Sequence, residues 1–177
     1  MRSGWLSCDE MSHVLAVLTP ANRLACEVAM ATGLRIGDVL SLTPQQLAHG
    51  RRITIKEQKT GKARKIYIPA QLHERMIAQS GRHWVFEGRS DARKHRTRQA
   101  VWYDVRRAAA ALRCKEHISP HSTRKAWAVD RFHACGDLRQ VQQEMRHSSP
   151  EITMLYAMAD VLQDRRGGQC RRGSGKK

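Results

Sequence analysis

Between Arg52 and Pro69 the chain alternates apolar and polar residues with period two, first in RITIKE (52–57) and again in ARKIYIP (63–69), around Lys59-Thr60-Gly61-Lys62. Side chains i and i+2 of a strand share a face, so the segment predicts a β-hairpin. Ile53, Ile55, Ile66 and Ile68 fall on inward positions, and Lys56, Lys59, Lys62, Arg64 and Lys65 are distributed over the outer face and the tip. A lone two-stranded hairpin is marginal in water. It must lean on other elements, and those around it follow a helical period.

Ser7 and Glu10 have the spacing of a capping box, and Val14, Leu15 and Leu18 give the apolar face of a first helix. Thr19-Pro20 ends it and starts another, in which Leu24, Ala25, Val28, Ala29 and Thr32 keep the 3.6-residue period. Gly33 then stands where a C-terminal cap needs positive φ. Arg35 follows that turn among Leu34, Ile36, Val39 and Leu40, with Asp38 three residues on as an orienting partner. Thr43-Pro44 opens a short helical turn. After the hairpin, Pro69 starts a helix with Leu72, Met76 and Ile77 on one side, Trp84-Val85-Phe86 is a short apolar element, and residues 88–98 read as a flexible basic loop. Thr97 caps a helix whose buried stripe is Val101, Val105, Ala108, Ala109 and Leu112.

The C-terminal third carries the densest chemistry. Ser119-Pro120 begins a helix with Trp127, Ala128 and Phe132 on its core side, Asp137 caps a shorter one from Leu138 to Met145, and Ser149-Pro150 caps a last one. His121 and Arg124, three apart, share a face in the first turn of their helix. That turn also presents free backbone N–H groups and a positive dipole end. His147 lies in the turn before the last helix and Tyr156 on that helix. Two histidines, an arginine and a tyrosine at helix ends imply an anionic ligand.

Charge says which kind of anion. Thirty-two Lys and Arg against 16 Asp and Glu give a net +16, the signature of a protein that meets a polyanion. The chain contains no apolar run near the roughly 20 residues of a membrane span and no secretory h-region, so nucleic acid is favoured over a membrane surface. Five cysteines with no CxxC pair argue against a disulfide framework. Cys114, His117, His121, His133 and Cys135 lack the paired close spacings of a zinc site, and no metal is assigned. The length of 177 residues suits one ordinary domain.

The order of these pieces is that of a known family. ATGLRIGDVLSL (31–42), the hairpin with KTGK, HSTR (121–124) and a His nine residues before a Tyr together resemble the catalytic domain of the tyrosine recombinases, the phage integrase family, from about Arg23 to Met158. The resemblance implies a mainly helical α+β fold with a small β-hairpin at one edge. It implies catalytic roles for Arg35, Lys59, His121, Arg124, His147 and Tyr156, with Lys62 as the alternative lysine, and DNA contacts by Lys56, Lys62, Arg64 and Lys65. Met145-Arg146 stands where the family has Leu-Gly, and Thr123 where it has an apolar residue.

A phosphodiester under attack spreads charge over its equatorial oxygens, and two guanidiniums suit it. A tyrosine needs a base or a positive field to become a nucleophile. The resemblance accordingly implies a metal-independent, cofactor-free enzyme that cleaves one strand of duplex DNA through Tyr156, leaves a 3′-phosphotyrosyl link and religates to another strand. The family pattern adds a homo-tetramer on synapsed DNA, accessory DNA-bending proteins, a cytoplasmic, nucleoid-associated setting, and an N-terminal helical domain that this chain lacks. Residues 1–164 are expected to form one catalytic domain and 165–177 a disordered basic tail. A topoisomerase-like relaxing enzyme and a catalytically silent DNA-binding regulator are the alternatives.

Overall fold

The computed structural model of the chain describes residue 6 and residues 8–145. Ser7, His147, the helix expected after Pro150 with Tyr156, and the 165–177 tail lie outside the described residues. The elements are α1 (Cys8–Ala16), α2 (Pro20–Thr32), α3 (Ile36–Leu40), α4 (Pro44–Ala48), β1 (Arg52–Lys56), β2 (Ala63–Tyr67), α5 (Ala70–Gln79), α6 (Arg98–Ala111), α7 (Pro120–Cys135) and α8 (Leu138–Met145). This is the expected helical α+β class with a two-stranded antiparallel sheet. Two compact units divide the chain, one ending at Trp127 and the other beginning at Ala128.

In the first unit α2 is the central helix. Leu24, Ala25, Cys26, Val28 and Ala29 are all buried, and α2 packs against α1, α3 and α5, while α1 and α3 also touch α6. Thr19 sits at the N-cap of α2 but makes no side-chain cap bond there. Its amide and hydroxyl instead donate to Asp104 Oδ2 of α6, at 2.9 and 2.8 Å, and Asn22 Nδ2 donates to the same oxygen at 2.8 Å. Arg107 closes the other side, with Nη2 2.6 Å from Oδ1. A buried carboxylate is tolerable when its lone pairs are filled in this way. Burial alone would raise its pKa, yet the donors from Arg107, Asn22 and Thr19 outweigh that and carry it down to about 2.

The hairpin pairs Ile53 with Ile66 and Ile55 with Arg64, and both strands alternate exposed and buried along their length. That register corrects the placement of Arg64. It has the parity of Ile66 and Ile68, so it points inward, and it is only 8% exposed. Lys56, Lys59, Lys62 and Lys65 are exposed as expected.

Three further expectations change. Ile77 is 51% exposed, because α5 seats only a narrow stripe through Leu72 and Met76, and residue 77 lies about 100° around the helix from 76. Leu112 is the C-cap of α6 rather than part of its buried stripe, and the chain turns away at once through Arg113 in the left-handed region (φ 52°). The basic loop expected to be flexible is closed by hydrogen bonds: Gly88 N to Lys94 O at 2.7 Å, Arg96 N to Phe86 O at 2.7 Å, and Trp84 Nε1 to Arg93 O at 3.0 Å.

The second unit contains the end of α7 and α8. Gly136 ends α7 with φ 67°, and the Asp137 carboxylate accepts from the Arg139 and Gln140 amides, capping α8. Arg131 grips Glu144 through two hydrogen bonds of 2.8 and 2.7 Å. This bidentate pair fixes the turn between the two helices.

Candidate functional site

The site begins at the end of α2. Gly33 adopts φ 66°, a conformation costly for any residue with a Cβ, and its amide caps the helix on Ala29 O at 2.9 Å. Space imposes the same choice, since a Cβ here would stand 2.6 Å from the Trp127 ring. The turn frees the Gly33 carbonyl to accept from Arg124 Nη1 at 2.6 Å. Two residues on, Arg35 becomes the extended N-cap of α3. Its side chain keeps 21% of its surface open, with Nη1 3.3 Å from Glu57 Oε2 and 4.0 Å from Asp38 Oδ2.

Glu57 was not foreseen as part of the site, although its position signals it. It follows Ile53 and Ile55 with inward parity, and a carboxylate on that face must find partners. It is fully buried. Oε1 lies 3.5 Å from Arg64 Nη1, and Oε2 accepts from Thr60 Oγ1 at 2.8 Å as well as from Arg35. Arg64 donates in turn to Thr32 O at 3.1 Å, so the inward arginine ties the hairpin to the last turn of α2. Asp38, expected to orient Arg35, also accepts from the Gln58 amide at 2.9 Å and so holds the start of the hairpin turn.

Arg124 enters from the first turns of α7, where Ser119 Oγ accepts from the His121 amide at 3.3 Å. It is 1% exposed. Burial, then the positive charges of Arg35 and Arg64, depress its pKa to about 10, against the pull of Glu57 and Asp38. It therefore remains charged at neutral pH. His121, three residues earlier, is exposed as a residue. Partial desolvation of its ring and the charges of Arg124, Lys125, Arg35 and Lys59 hold its pKa below the ordinary 6.5.

The charges of Arg35, Lys59 and Arg124 all reach the His121 ring, so a helix-end turn, a hairpin tip and a second helix start contribute to one region. Three guanidiniums (Arg35, Arg64, Arg124) stand there against two carboxylates (Glu57, Asp38), with Lys59 beside them. Such an arrangement attracts an anion and presents a neutral imidazole to it. Lys62 shares the exposed tip, whereas Lys56 and Lys65 lie on the outer face of the hairpin.

The integrase of Escherichia phage P2 is 27% identical over 164 residues, covering 92% of this chain and 45% of that protein. Tyrosine recombinase XerD of Shewanella oneidensis is 27% identical over 142 residues, covering 73% and 46%. The chain spans about half the length of these curated relatives. In three dimensions it superposes on a lambda integrase, solved as a dimer bound to a COC′ core site, with a TM-score of 0.73 at 18% identity, over 89% of this chain and 60% of that one; the likeness is one of fold. The family model matches residues 5–162, and the chain belongs to the phage integrase family.

Proposed function

We propose that this chain is the catalytic part of a site-specific recombinase acting on double-stranded DNA, in which Tyr156 attacks a backbone phosphate and holds the cut strand as a 3′-phosphotyrosine until another strand replaces it. The observation that carries this reading is the convergence of Arg35, Arg124, His121 and Lys59 on one strongly positive region. In this mechanism Arg35 and Arg124 bind the non-bridging oxygens, where their charge is most effective as the pentacoordinate transition state forms. The neutral His121 ring accepts the phenol proton, which the surrounding cations make easier to release. Lys59 protonates the leaving 5′ oxygen, and His147 donates to the phosphate. The phosphodiester energy is conserved in the tyrosyl link, so rejoining is attack by a 5′ hydroxyl with the proton transfers reversed.

Residues 1–164 form the catalytic part in this reading and 165–177 a basic tail. Lys56, Lys62 and Lys65 follow the DNA backbone along the hairpin, and Arg64 acts from inside it. Four copies on two synapsed duplexes, with DNA-bending proteins, complete the exchange in a nucleoid-associated setting. Among the described residues no helix is long and apolar enough to cross a membrane.

The test is covalent capture. Duplexes retained on the chain under denaturing conditions are selected from a random-sequence library, rebuilt as nicked suicide substrates, and offered to the wild type and to Tyr156→Phe. A 3′-linked adduct on the wild type alone is expected. Failure to retain any duplex, an equal adduct on the Phe variant, or relaxation of supercoiled plasmid without site preference would each overturn the proposal.

A further inference from the structure

The hairpin turn that carries Lys59 is fastened on both sides by the carboxylates that flank Arg35. The amide before it, Gln58 N, is held by Asp38 at 2.9 Å. The hydroxyl after it, Thr60 Oγ1, is held by Glu57 at 2.8 Å, on the same Oε2 that lies 3.3 Å from Arg35 Nη1. Glu57 adds backbone ties of its own, with its amide donating to Lys62 O at 3.1 Å and its carbonyl accepting from Gly61 N at 2.8 Å. We propose that Glu57 is a positioning residue that sets the Arg35 guanidinium and the Lys59 turn in one fixed relation through a single carboxylate oxygen.

Energetics favour orientation over stabilisation as its role. Glu57 is fully buried on a face shared with Ile53, Ile55, Ile66, Ile68 and the inward Arg64, and an aliphatic pair in place of Glu57 and Arg64 would fill the core without the desolvation cost of two charges. What an aliphatic residue lacks is direction. Arg35 carries a long side chain with one-fifth of its surface in solvent, and unrestrained it would sample many rotamers. Glu57 restricts it from the side away from solvent, so the open edge of the guanidinium is left for an incoming oxygen. Because Thr60 uses the same oxygen, a shift of the hairpin turn that moves Lys59 also moves the anchor of Arg35. The groups assigned to the non-bridging oxygens and to the leaving oxygen are then set together.

This inference rests on the recombinase reading for its consequence but not for its geometry, and the experiment separates the two. In the full chain, the Nε–Hε resonance of Arg35, assigned with Arg35→Lys, is compared between wild type and Glu57→Gln, which keeps the shape and removes the charge. The expected result is a distinct, rotationally hindered guanidinium in the wild type and an averaged, solvent-like one in the variant. On the captured nicked duplex, the rate of adduct formation by Glu57→Gln should fall about 10²-fold, the effect of misplacing a reacting group by about an ångström. DNA affinity should stay within about twofold, because the loss lies in the transition state.

Glu57→Gln/Arg64→Met removes the guanidinium whose charge Glu57 also balances. It should regain the thermal midpoint while cleaving no faster than the single variant. An unchanged Arg35 resonance overturns the proposal whatever the cleavage rate. Recovery of both stability and cleavage in the double variant reduces Glu57 to charge compensation and overturns it as well. If the wild type captures no duplex, the recombinase reading falls, while the Arg35 resonance still decides what Glu57 does.

Discussion

Two buried carboxylates in the first unit do opposite things with the same chemistry. Asp104 is saturated by short hydrogen bonds from Thr19, Asn22 and Arg107, and its neighbours have little left to offer a ligand. Glu57 is outnumbered, sharing its two oxygens among Arg35, Arg64 and Thr60 at 2.8 to 3.5 Å, with Arg124 close enough to feel its charge. The first arrangement joins α2 to α6. The second leaves positive charge in excess where Arg35 reaches solvent. The lesson is that stoichiometry and geometry, more than burial, separate a structural ion cluster from a binding one.

The comparison breaks most sharply at its cationic end. Arg124→Ala removes a transition-state donor and should slow adduct formation about 10³-fold, roughly 4 kcal/mol, measured on the nicked duplex. Asp104→Ala should instead cost about 3 kcal/mol of folding stability, by leaving buried donors unmatched. That loss lowers the thermal midpoint by about 6–12 °C for a chain of this size, with no change in adduct rate per folded molecule. If Asp104→Ala slowed cleavage and left the midpoint in place, the distinction drawn between the two clusters would be wrong.

Gly33→Ala tests the junction. A Cβ would meet the Trp127 ring and disfavour φ 66°, for a loss of about 2 kcal/mol, read by urea denaturation. Because the Gly33 carbonyl holds Arg124, cleavage should slow as well.

The smallest effects are in pH. Asp104 has a folded pKa of about 2 against 3.8 in the unfolded chain, so its stabilising contribution is complete above about pH 4 and is lost as pH falls toward 2. That contribution is on the order of 1 kcal/mol after solvent screening, and it should vanish from the acid denaturation curve of Asp104→Ala. His121 has its pKa depressed, so the imidazole stays neutral, and the acid limb of the cleavage rate should lie below pH 6.5. An acid limb above 6.5 would mean that the neighbouring cations do not act on it.

Much of this was legible in the residues. The helical periods, the Gly33 cap and the hairpin are local patterns, and local patterns survive in sequence because backbone conformation and side-chain parity repeat within a few residues; the link between Arg35 and HSTR, far apart in the chain, rested on the family resemblance. Arg64 shows where attention to that parity was needed: counted in twos from Ile66 it is inward, despite its charge. Glu57 had the same signal, counted in twos from Ile53 and Ile55 and falling just past the end of β1. Leu112 and Ile77 kept the apolar letter of a core stripe while their helices turned or narrowed beneath them.

The sequence by itself determined the elements, their order, the excess of positive charge and the residue types at the candidate site. Only the tertiary structure decided the partners: that Asp104 caps α2 from about 85 residues away, that Arg124 docks on Gly33 O across 91, and that one oxygen of Glu57 serves both Arg35 and the lysine turn. Periodicity specifies which face a side chain occupies. It says nothing about what lies opposite, because that is set by how helices and hairpin pack to bury apolar surface, and packing is a property of the whole chain.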